Sequence, residues 1–89
     1  MKILSKKREK ISEQILVVLY SVSPRLMFTS YIAKEIARDE EFTKKLLLDL
    51  KKKNLVVVVK RNPKGIPYLK RMRWRMSDRA YKIYKSSQS

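Results

Sequence analysis

Apolar residues in the first part of the chain recur at helical spacing. They follow one another at intervals of four, three, one and three residues: Ile11, Ile15, Val18, Leu19 and Val22. Such intervals place all members on one face of a helix, so the sequence predicts an amphipathic helix over residues 5–22 with this stripe facing a core. Ser23 and Pro24 end the helix, because a residue before proline avoids helical backbone angles.

A brief strand at residues 26–28 is predicted to lead into a second helix. The stretch Leu-Met-Phe is too short for a helix and suits a strand. Thr29 stands at a position suited to a helix N-cap. Ile32 and Ile36 lie one helical turn apart, which predicts a helix that continues to Arg38.

A third helix is predicted to begin at three consecutive acids, residues 39–41. The helix dipole favours negative charge at that end. Its apolar positions again have helical spacing: Phe42, Leu46, Leu47 and Leu50. Lysines at 51–53 place cations in the last turn, and Asn54 suits the helix end because asparagine tolerates the left-handed conformation.

After Asn54 the pattern changes from helical spacing to features that are typical of β-strands. Residues 55–61, LVVVVKR, are rich in β-branched side chains and predict one strand. Residues 62–67 contain the only glycine of the chain and two prolines, which predicts a loop. Residues 71–76, RMRWRM, then alternate arginine with a large apolar residue, so this strand has one charged face and one apolar face.

A last helix is predicted to follow Ser77, which stands at its N-cap. Lys82 and Lys85 lie on one side of this helix. The other side is apolar: Ala80, Tyr81, Ile83 and Tyr84. The two tyrosines are expected to contact the core or a second copy of the chain.

The order of these elements resembles the winged helix-turn-helix domain, from Ile11 to about Tyr84. Three stretches carry the resemblance: Ile36-Ala37 with Leu47-x-x-Leu50, Lys53-Asn54-Leu55-Val56, and Trp74-x-Met76-Ser77-Asp78-Arg79-Ala80-Tyr81. The last stretch is similar to the ending of many small archaeal and other prokaryotic transcriptional regulators. The segment between Ala37 and Leu47 is shorter than in common members, which predicts a tight turn before the third helix.

The resemblance implies an α+β, mostly helical fold in which a three-helix unit is followed by a β-hairpin and a C-terminal helix. The hairpin, residues 55–76, is the wing. Residues 1–10 are a basic N-terminal extension of the first helix, and residues 1–89 form a single domain. The third helix is then the recognition helix of a DNA-binding protein.

Positive charge is concentrated in the C-terminal half of the chain. There are 23 lysines and arginines against 8 acids, a net charge of +15. Residues 1–10 carry a net charge of +4, residues 11–50 carry −1 and residues 51–89 carry +12. This distribution implies a polyanionic partner on one side of the molecule, and nucleic acid is the common case. A solvated basic surface and anionic lipid are the alternatives.

The composition argues against several other kinds of protein. The chain has no cysteine, no histidine and one glycine, and no serine lies in a nucleophile-elbow sequence. We therefore expect no enzyme activity, no cofactor and no metal. The longest apolar run, residues 15–20, is far shorter than the ~20 residues of a membrane span. No secretory signal is visible, so we expect a soluble, cytoplasmic protein without a membrane partner.

The exposed side of the third helix is the first candidate nucleic-acid contact. If Phe42, Leu46 and Leu50 are buried, the opposite side carries Glu41, Lys44, Lys45, Leu48 and Lys52. By the resemblance this helix lies in the major groove, where lysines suit phosphates or guanine edges and Leu48 suits a thymine methyl. The alternatives are an ordinary solvated face with one exposed leucine, and a protein contact through Leu48.

The basic face of the hairpin is the second candidate. If Met72, Trp74 and Met76 face the core, the arginines between them face outward. The hairpin candidates are Lys60, Arg61, Lys64, Lys70, Arg71, Arg73 and Arg75. Arginine grips phosphate through two hydrogen bonds and enters narrow minor grooves. The alternative is protection of an exposed sheet edge, which lysines would serve equally well.

Three further features have two interpretations each. Trp74 is predicted to be a core residue rather than a base-stacking platform, because it alternates with arginine. Tyr68 is a candidate aromatic contact with a ligand. The N-terminal cations either extend the basic surface or solvate a frayed helix start: Lys6, Lys7, Arg8 and Lys10.

Charge and resemblance together imply a small transcriptional regulator that binds duplex DNA. Its recognition helix would enter the major groove, and its wing would contact the backbone or the minor groove. One rival is an RNA-binding, ribosome-associated winged-helix protein. The other is a protein-interaction module of a transcription complex. Such a module would use Leu48 and the last helix, which carries Tyr81 and Tyr84. The first or last helix is the candidate contact for a homodimer.

Overall fold

Helices and strands follow one another in the predicted order. The computed structural model describes residues 2–59 and 72–88, with the side chains of residues 7–59 and 72–87. The elements are α1 (Lys2–Val22), β1 (Met27–Phe28), α2 (Thr29–Glu35), α3 (Glu40–Lys52), β2 (Val56–Val59), β3 (Arg73–Met76) and α4 (Asp78–Gln88).

The apolar faces of α1, α3 and β3 meet in one core. Ile15 and Leu19 from α1, Leu46 and Leu47 from α3, and Trp74 from β3 are each at most 1% exposed. All five belong to a single cluster of contacting apolar side chains. The amphipathic patterns predicted for the first and third helices are therefore confirmed.

β3 is the central strand of a three-stranded antiparallel sheet with the order β1-β3-β2. On one side Met27 and Phe28 pair with Trp74 and Arg73. On the other side residues 56–59 of β2 pair with residues 76–73 of β3. The alternative that the arginines of β3 protect a sheet edge is wrong for Arg73, because that residue has a neighbouring strand on both sides.

The predicted alternation along β3 is confirmed. Trp74 and Met76 are buried, whereas Arg73 and Arg75 are half-buried on the opposite face. The indole Nε1 of Trp74 donates a hydrogen bond of 2.7 Å to the Thr29 hydroxyl inside the core. Trp74 is thus a core residue, as predicted, and not a platform for stacking bases.

Thr29 has a different role from the predicted helix cap. α2 begins at Thr29 itself, its N-cap position is Phe28, and no side-chain hydrogen bond caps that end. The Thr29 hydroxyl accepts from Trp74 and lies 3.5 Å from the Met72 carbonyl oxygen. The prediction was wrong because a buried indole N–H needs an acceptor, and the Thr29 hydroxyl supplies it.

A tight turn, residues 36–39, joins α2 to α3, as the short spacing predicted. α2 ends at Glu35 and not at Arg38, because Ala37 adopts the left-handed conformation with φ of 55°. The Arg38 N–H donates to the Ala33 carbonyl over 2.9 Å, which closes this helix end. Alanine lacks the freedom of glycine, so the conformation costs about 1 kcal/mol.

Both ends of α3 are capped, and the sequence predicted the one at Asn54. At the start, the Asp39 carboxylate accepts from the Phe42 N–H over 3.1 Å. At the end, Asn54 is left-handed with φ of 61°. The Leu55 N–H donates to the Leu50 carbonyl over 3.0 Å, in the hydrogen-bond pattern of a Schellman motif. The chain therefore leaves α3 directly into β2.

Ser77 ties the end of α3 to the start of α4. Its N–H donates to the Leu55 carbonyl over 3.0 Å. Its hydroxyl donates to the Asn54 carbonyl over 2.9 Å and accepts from the Ala80 N–H over 3.1 Å. The predicted N-cap is confirmed, and the same residue also fixes the position of α3 relative to the sheet.

Candidate nucleic-acid interface

α3 presents a basic outer side to solvent. It packs on the core through Thr43, Leu46, Leu47 and Leu50. The opposite side is centred on Glu41, Lys45 and Lys52, which are all exposed, and Lys44 is half-buried beside it. The structure thus places Lys45 and Lys52 where the sequence predicted them, on the side of α3 that is free to meet a partner.

Leu48 is less accessible than the sequence suggested. It is half-buried and packs against the core, although it lies near the outer side of α3. The expectation of a freely exposed leucine is therefore corrected. The packing explains its residue type without a partner protein, and its contact with a thymine methyl stays a prediction.

The two described arginines of β3 lie on the outer face of the sheet among apolar neighbours. Arg73 is opposite Phe28 on one side and Val59 on the other, and Arg75 is opposite Val57. Both arginines are half-buried. Such neighbours favour packing of the arginine stems against the sheet, and the Nε atom of Arg73 is buried there.

Arg75 has weak partners at the start of α4. One guanidinium nitrogen, Nη1, lies 3.1 Å from the Met76 carbonyl oxygen and 3.4 Å from the Asp78 carboxylate. The Asp78 side chain is 91% exposed, so water competes for this carboxylate. Exposed pairs of this kind contribute less than about 1 kcal/mol, which leaves Arg75 able to exchange Asp78 for a phosphate.

Several predicted contacts fall outside the described residues: Lys60, Arg61, Lys64, Tyr68, Lys70 and Arg71. The described strands fix where this part of the chain leaves and rejoins the sheet. Val59 is directly opposite Arg73, so the two ends lie side by side at one end of the β2–β3 pair. The hairpin topology predicted for residues 55–76 is confirmed at its root.

Sequence reasoning missed Arg38, an exposed cation in the turn before α3. It lies beside Lys7, Arg8, Ile11 and Phe42 in a cleft between α1 and the start of α3. Its place directly before the acidic helix start could have identified it as a neighbour of the third helix. The signal was missed because Arg38 was assigned to the second helix.

Acidic groups at the start of α3 oppose the basic character of this surface. Asp39 caps the helix, and Glu40 and Glu41 follow it in the first turn, exposed. These charges suit the helix dipole but would repel a phosphate. A nucleic acid can therefore bind at this end of α3 only if nearby cations offset the repulsion between these acids and its phosphates.

The tyrosines of α4 pack against α1. The ring of Tyr20 lies 5.3 Å from the ring of Tyr81 and 5.6 Å from that of Tyr84, between centroids. Burial raises the pKa of the Tyr84 phenol, and the Glu13 carboxylate raises it further. Ile83 was predicted to share this apolar side but is 54% exposed. The tyrosines are thus packing residues of the described fold.

Two kinds of site are absent from the part of the chain that the structure describes. Within residues 2–59 and 72–88, no group of three acidic side chains could hold a metal ion. No helix in the same ranges is long and apolar enough to cross a membrane.

The architecture matches solved structures, although no family model and no curated protein matches the sequence. MepR of S. aureus in complex with DNA covers 99% of this chain with a TM-score of 0.72 and 18% identity, over 73% of its own length. A mutant MepR from a multidrug-resistant S. aureus clinical isolate covers 100% of this chain with a TM-score of 0.71 and 18% identity, over 66% of its own length. A mutant of Lactococcus lactis ZitR covers 98% of this chain with a TM-score of 0.64 and 14% identity, over 63% of its own length.

The fold is the winged helix-turn-helix. α2 and α3 form its helix pair, and β2 and β3 form the root of its wing. This chain spans about half to two thirds of the length of the MepR and ZitR mutants that it matches. MepR is a transcription regulator of the Staphylococcus aureus multidrug efflux pump MepA. At identities of 14–18% the likeness concerns the fold.

Proposed function

We propose that this chain is a DNA-binding protein that acts as a small transcriptional regulator. The observation that carries the proposal is the exposed, lysine-bearing outer side of α3, the helix that enters the major groove in helix-turn-helix proteins. A similar protein, MepR, is a transcription regulator solved with DNA, which supports the proposal. Regulation in the cytoplasm, without catalysis or a cofactor, follows from it.

The outer side of α3 is proposed to contact bases and nearby phosphates. Lys44 and Lys45 suit guanine edges or phosphates, and Lys52 suits a phosphate near the end of the helix. The half-buried Leu48 offers a small apolar surface to a thymine methyl. These contacts account for sequence preference.

The wing is proposed to supply contacts with the backbone or the minor groove that do not depend on sequence. Arg73 and Arg75 offer guanidinium groups on the outer face of the sheet. The remaining wing contacts are proposed from the sequence: Lys60, Arg61, Lys64, Lys70 and Arg71. Arginine is suited to this task because its planar fork holds two phosphate oxygens at once.

Salt dependence of duplex binding tests the proposal. If about six phosphates are neutralised, the logarithm of the association constant should fall against the logarithm of salt concentration with a slope of about −5. Fluorescence anisotropy with random duplex fragments measures this slope. A slope near zero would contradict electrostatic binding of DNA.

Two sets of variants separate the roles of the wing and the recognition helix. Replacement of Arg71, Arg73 and Arg75 by alanine should weaken binding to all sequences equally. Replacement of Lys44 or Lys45 should change which fragments are selected from random duplex DNA. If the triple arginine variant keeps full affinity, the wing does not contact the duplex.

Competition between ligands separates DNA from RNA as the partner. Duplex DNA and a structured RNA of equal phosphate count are offered at one salt concentration. A regulator of the proposed kind prefers the duplex, whereas a preference for the RNA supports a ribosome-associated role. The equal phosphate count keeps the electrostatic contribution comparable, so the preference reports on helix geometry.

Homodimerisation through α1 or α4 is part of the proposal. Val17 on α1 and Ile83 on α4 are apolar and more than half exposed, next to the Tyr20, Tyr81 and Tyr84 cluster. Selection of a two-fold symmetric DNA site would support a dimer. A monomeric mass in solution together with a single half-site would contradict it.

A further inference from the structure

A cleft with mainly apolar walls and three cations in its lining lies beside the start of α3, at the opposite end of that helix from the root of the wing. Its lining comes from α1, from the turn before α3 and from α3 itself: Lys7, Arg8, Ile11, Arg38, Asp39 and Phe42. Its volume is about 460 Å³. One water occupies roughly 30 Å³, so the cleft has room for a phosphate group together with its hydration.

Some charged side chains of this cleft have partners within the described residues and others do not. Asp39 uses its carboxylate to accept from the Phe42 N–H, and Arg8 is held 2.8 Å from the Asp49 carboxylate of α3. The charged groups of Lys7 and Arg38 are exposed and have no hydrogen bond or ion pair within the described residues. Lys7 and Arg38 thus have no partner within the described residues, and the acid in the lining, Asp39, is engaged as a helix cap.

The position of the cleft relative to α3 matters for a duplex. α3 has 13 residues and is therefore about 20 Å long. The major groove is about 12 Å wide, so a helix of this length can reach the phosphates that border the groove at both of its ends. The root of the wing lies at the C-terminal end of α3, through the Asn54–Ser77 hydrogen bond. The cleft lies at the N-terminal end.

We infer that this cleft binds a phosphate of the same DNA duplex, with Lys7 and Arg38 as the contacting residues. The inference rests on the proposed function and extends the interface from the helix pair and wing to the N-terminal part of α1. It also resolves the two interpretations of the N-terminal cations in favour of an extended basic surface, as far as Lys7 is concerned.

The acids of the first turn of α3 give this contact a physical purpose. Glu40 and Glu41 are exposed there and would repel the duplex backbone. Lys7 and Arg38 lie at the same end of the helix and offset that repulsion. The three acids at residues 39–41 carry a charge of −3, and the two cations reduce it to −1, so the duplex backbone is repelled less at this end of α3 than it would be without them.

A matched pair of double variants tests the inference. In the full chain, K7A/R38A removes two cations at the cleft, and K82A/K85A removes two exposed cations from α4. Because both variants change the net charge equally, a general charge effect influences them alike. Duplex binding is measured by anisotropy over a series of salt concentrations, and urea unfolding of each variant confirms that it is folded.

K7A/R38A should weaken duplex binding by about 10-fold and make the salt slope shallower by about 0.9, because one phosphate contact is lost. K82A/K85A should change the slope by less than half of that. Equal effects of the two variants would show that the cleft is not contacted, while duplex binding by the unchanged protein would still uphold the proposed function. Failure of the unchanged protein to bind duplex DNA would remove both.

Discussion

The two faces of β3 are formed by alternating residues and differ in polarity. On the inner face Trp74 and Met76 are at most 1% exposed and belong to the core cluster. On the outer face Arg73 and Arg75 are half-buried beside valines and a phenylalanine. One strand therefore serves stability on one side and presents cations on the other, and the two properties can be altered separately.

This separation explains why a central strand can contain arginines. The hydrogen bonds of the sheet involve the backbone, so they place no limit on the charge of an outward side chain. Two like charges spaced two residues apart repel each other, which costs stability unless an anion is bound. The inner face stabilises the strand against that repulsion through the burial of Trp74 and Met76.

The largest effect should come from the inner face. W74A removes a fully buried ring and should lower the free energy of unfolding by about 3–5 kcal/mol. R73A, the neighbouring change on the outer face, should lower it by less than about 1 kcal/mol. Urea unfolding followed by circular dichroism measures both. Similar losses for the two variants would mean that the faces are not separable.

The outer face should dominate binding. R73A/R75A should reduce duplex affinity by about 10- to 100-fold and make the salt slope shallower by about 1.8, through the loss of two phosphate contacts. K82A/K85A provides a control with the same change in net charge. Salt titrations by anisotropy measure both variants. An unchanged affinity in R73A/R75A would remove these two arginines from the proposed interface.

A smaller effect on stability should come from the hydrogen bond between Trp74 and Thr29. T29V keeps the shape of the side chain but leaves the buried indole N–H without its acceptor, which should cost about 1–2 kcal/mol. T29S keeps the oxygen and should cost less than T29V. The comparison of the two unfolding curves separates the hydrogen bond from the methyl group, and a negligible cost of T29V would mean that the hydrogen bond does not stabilise the fold.

The smallest effect should be a gain in affinity. D78N removes the carboxylate that lies 3.4 Å from Arg75, so the guanidinium becomes free for a phosphate. We expect duplex binding to strengthen by about 2- to 5-fold, in line with the strength of an exposed ion pair. E35Q removes another exposed acid and serves as the control. If both variants gain equally, the Arg75–Asp78 pair has no specific influence on binding.

Periodicity was sufficient to predict the buried faces of α1, α3 and β3. The helical stripes of α1 and α3 and the period of two in β3 are local patterns, and each one specified a face correctly. The cap formed by Ser77 was equally predictable, because its partner lies three residues away.

Features that depend on distant partners could not be predicted. Thr29 resembles a helix cap in sequence, but its hydroxyl bonds to an indole 45 residues away. Leu48 lies on the outer side of a helical wheel, yet it packs against the core. The pairing of β1 with β3 likewise depends on a two-residue strand whose sequence gives no sign of its neighbour.

The same limit applied to the candidate interface. The lysines of α3 were identified because they share a helix face. Arg38 was missed because its neighbours, Lys7 and Arg8, come from a helix about thirty residues earlier in the chain. A cleft formed by three separate elements leaves no periodic signal, since each element contributes at most three residues to it.

The three hydrogen bonds of Ser77 have a mechanical consequence. Two of them join the Asn54 and Leu55 carbonyls to the start of α4, so they link the end of α3 and the root of the wing to that helix. A rigid unit loses little conformational entropy when it docks. In the complex that we propose, the duplex would adapt to the linked elements, so DNA sequences that bend easily toward their shape should be bound more tightly even at base pairs that no side chain touches.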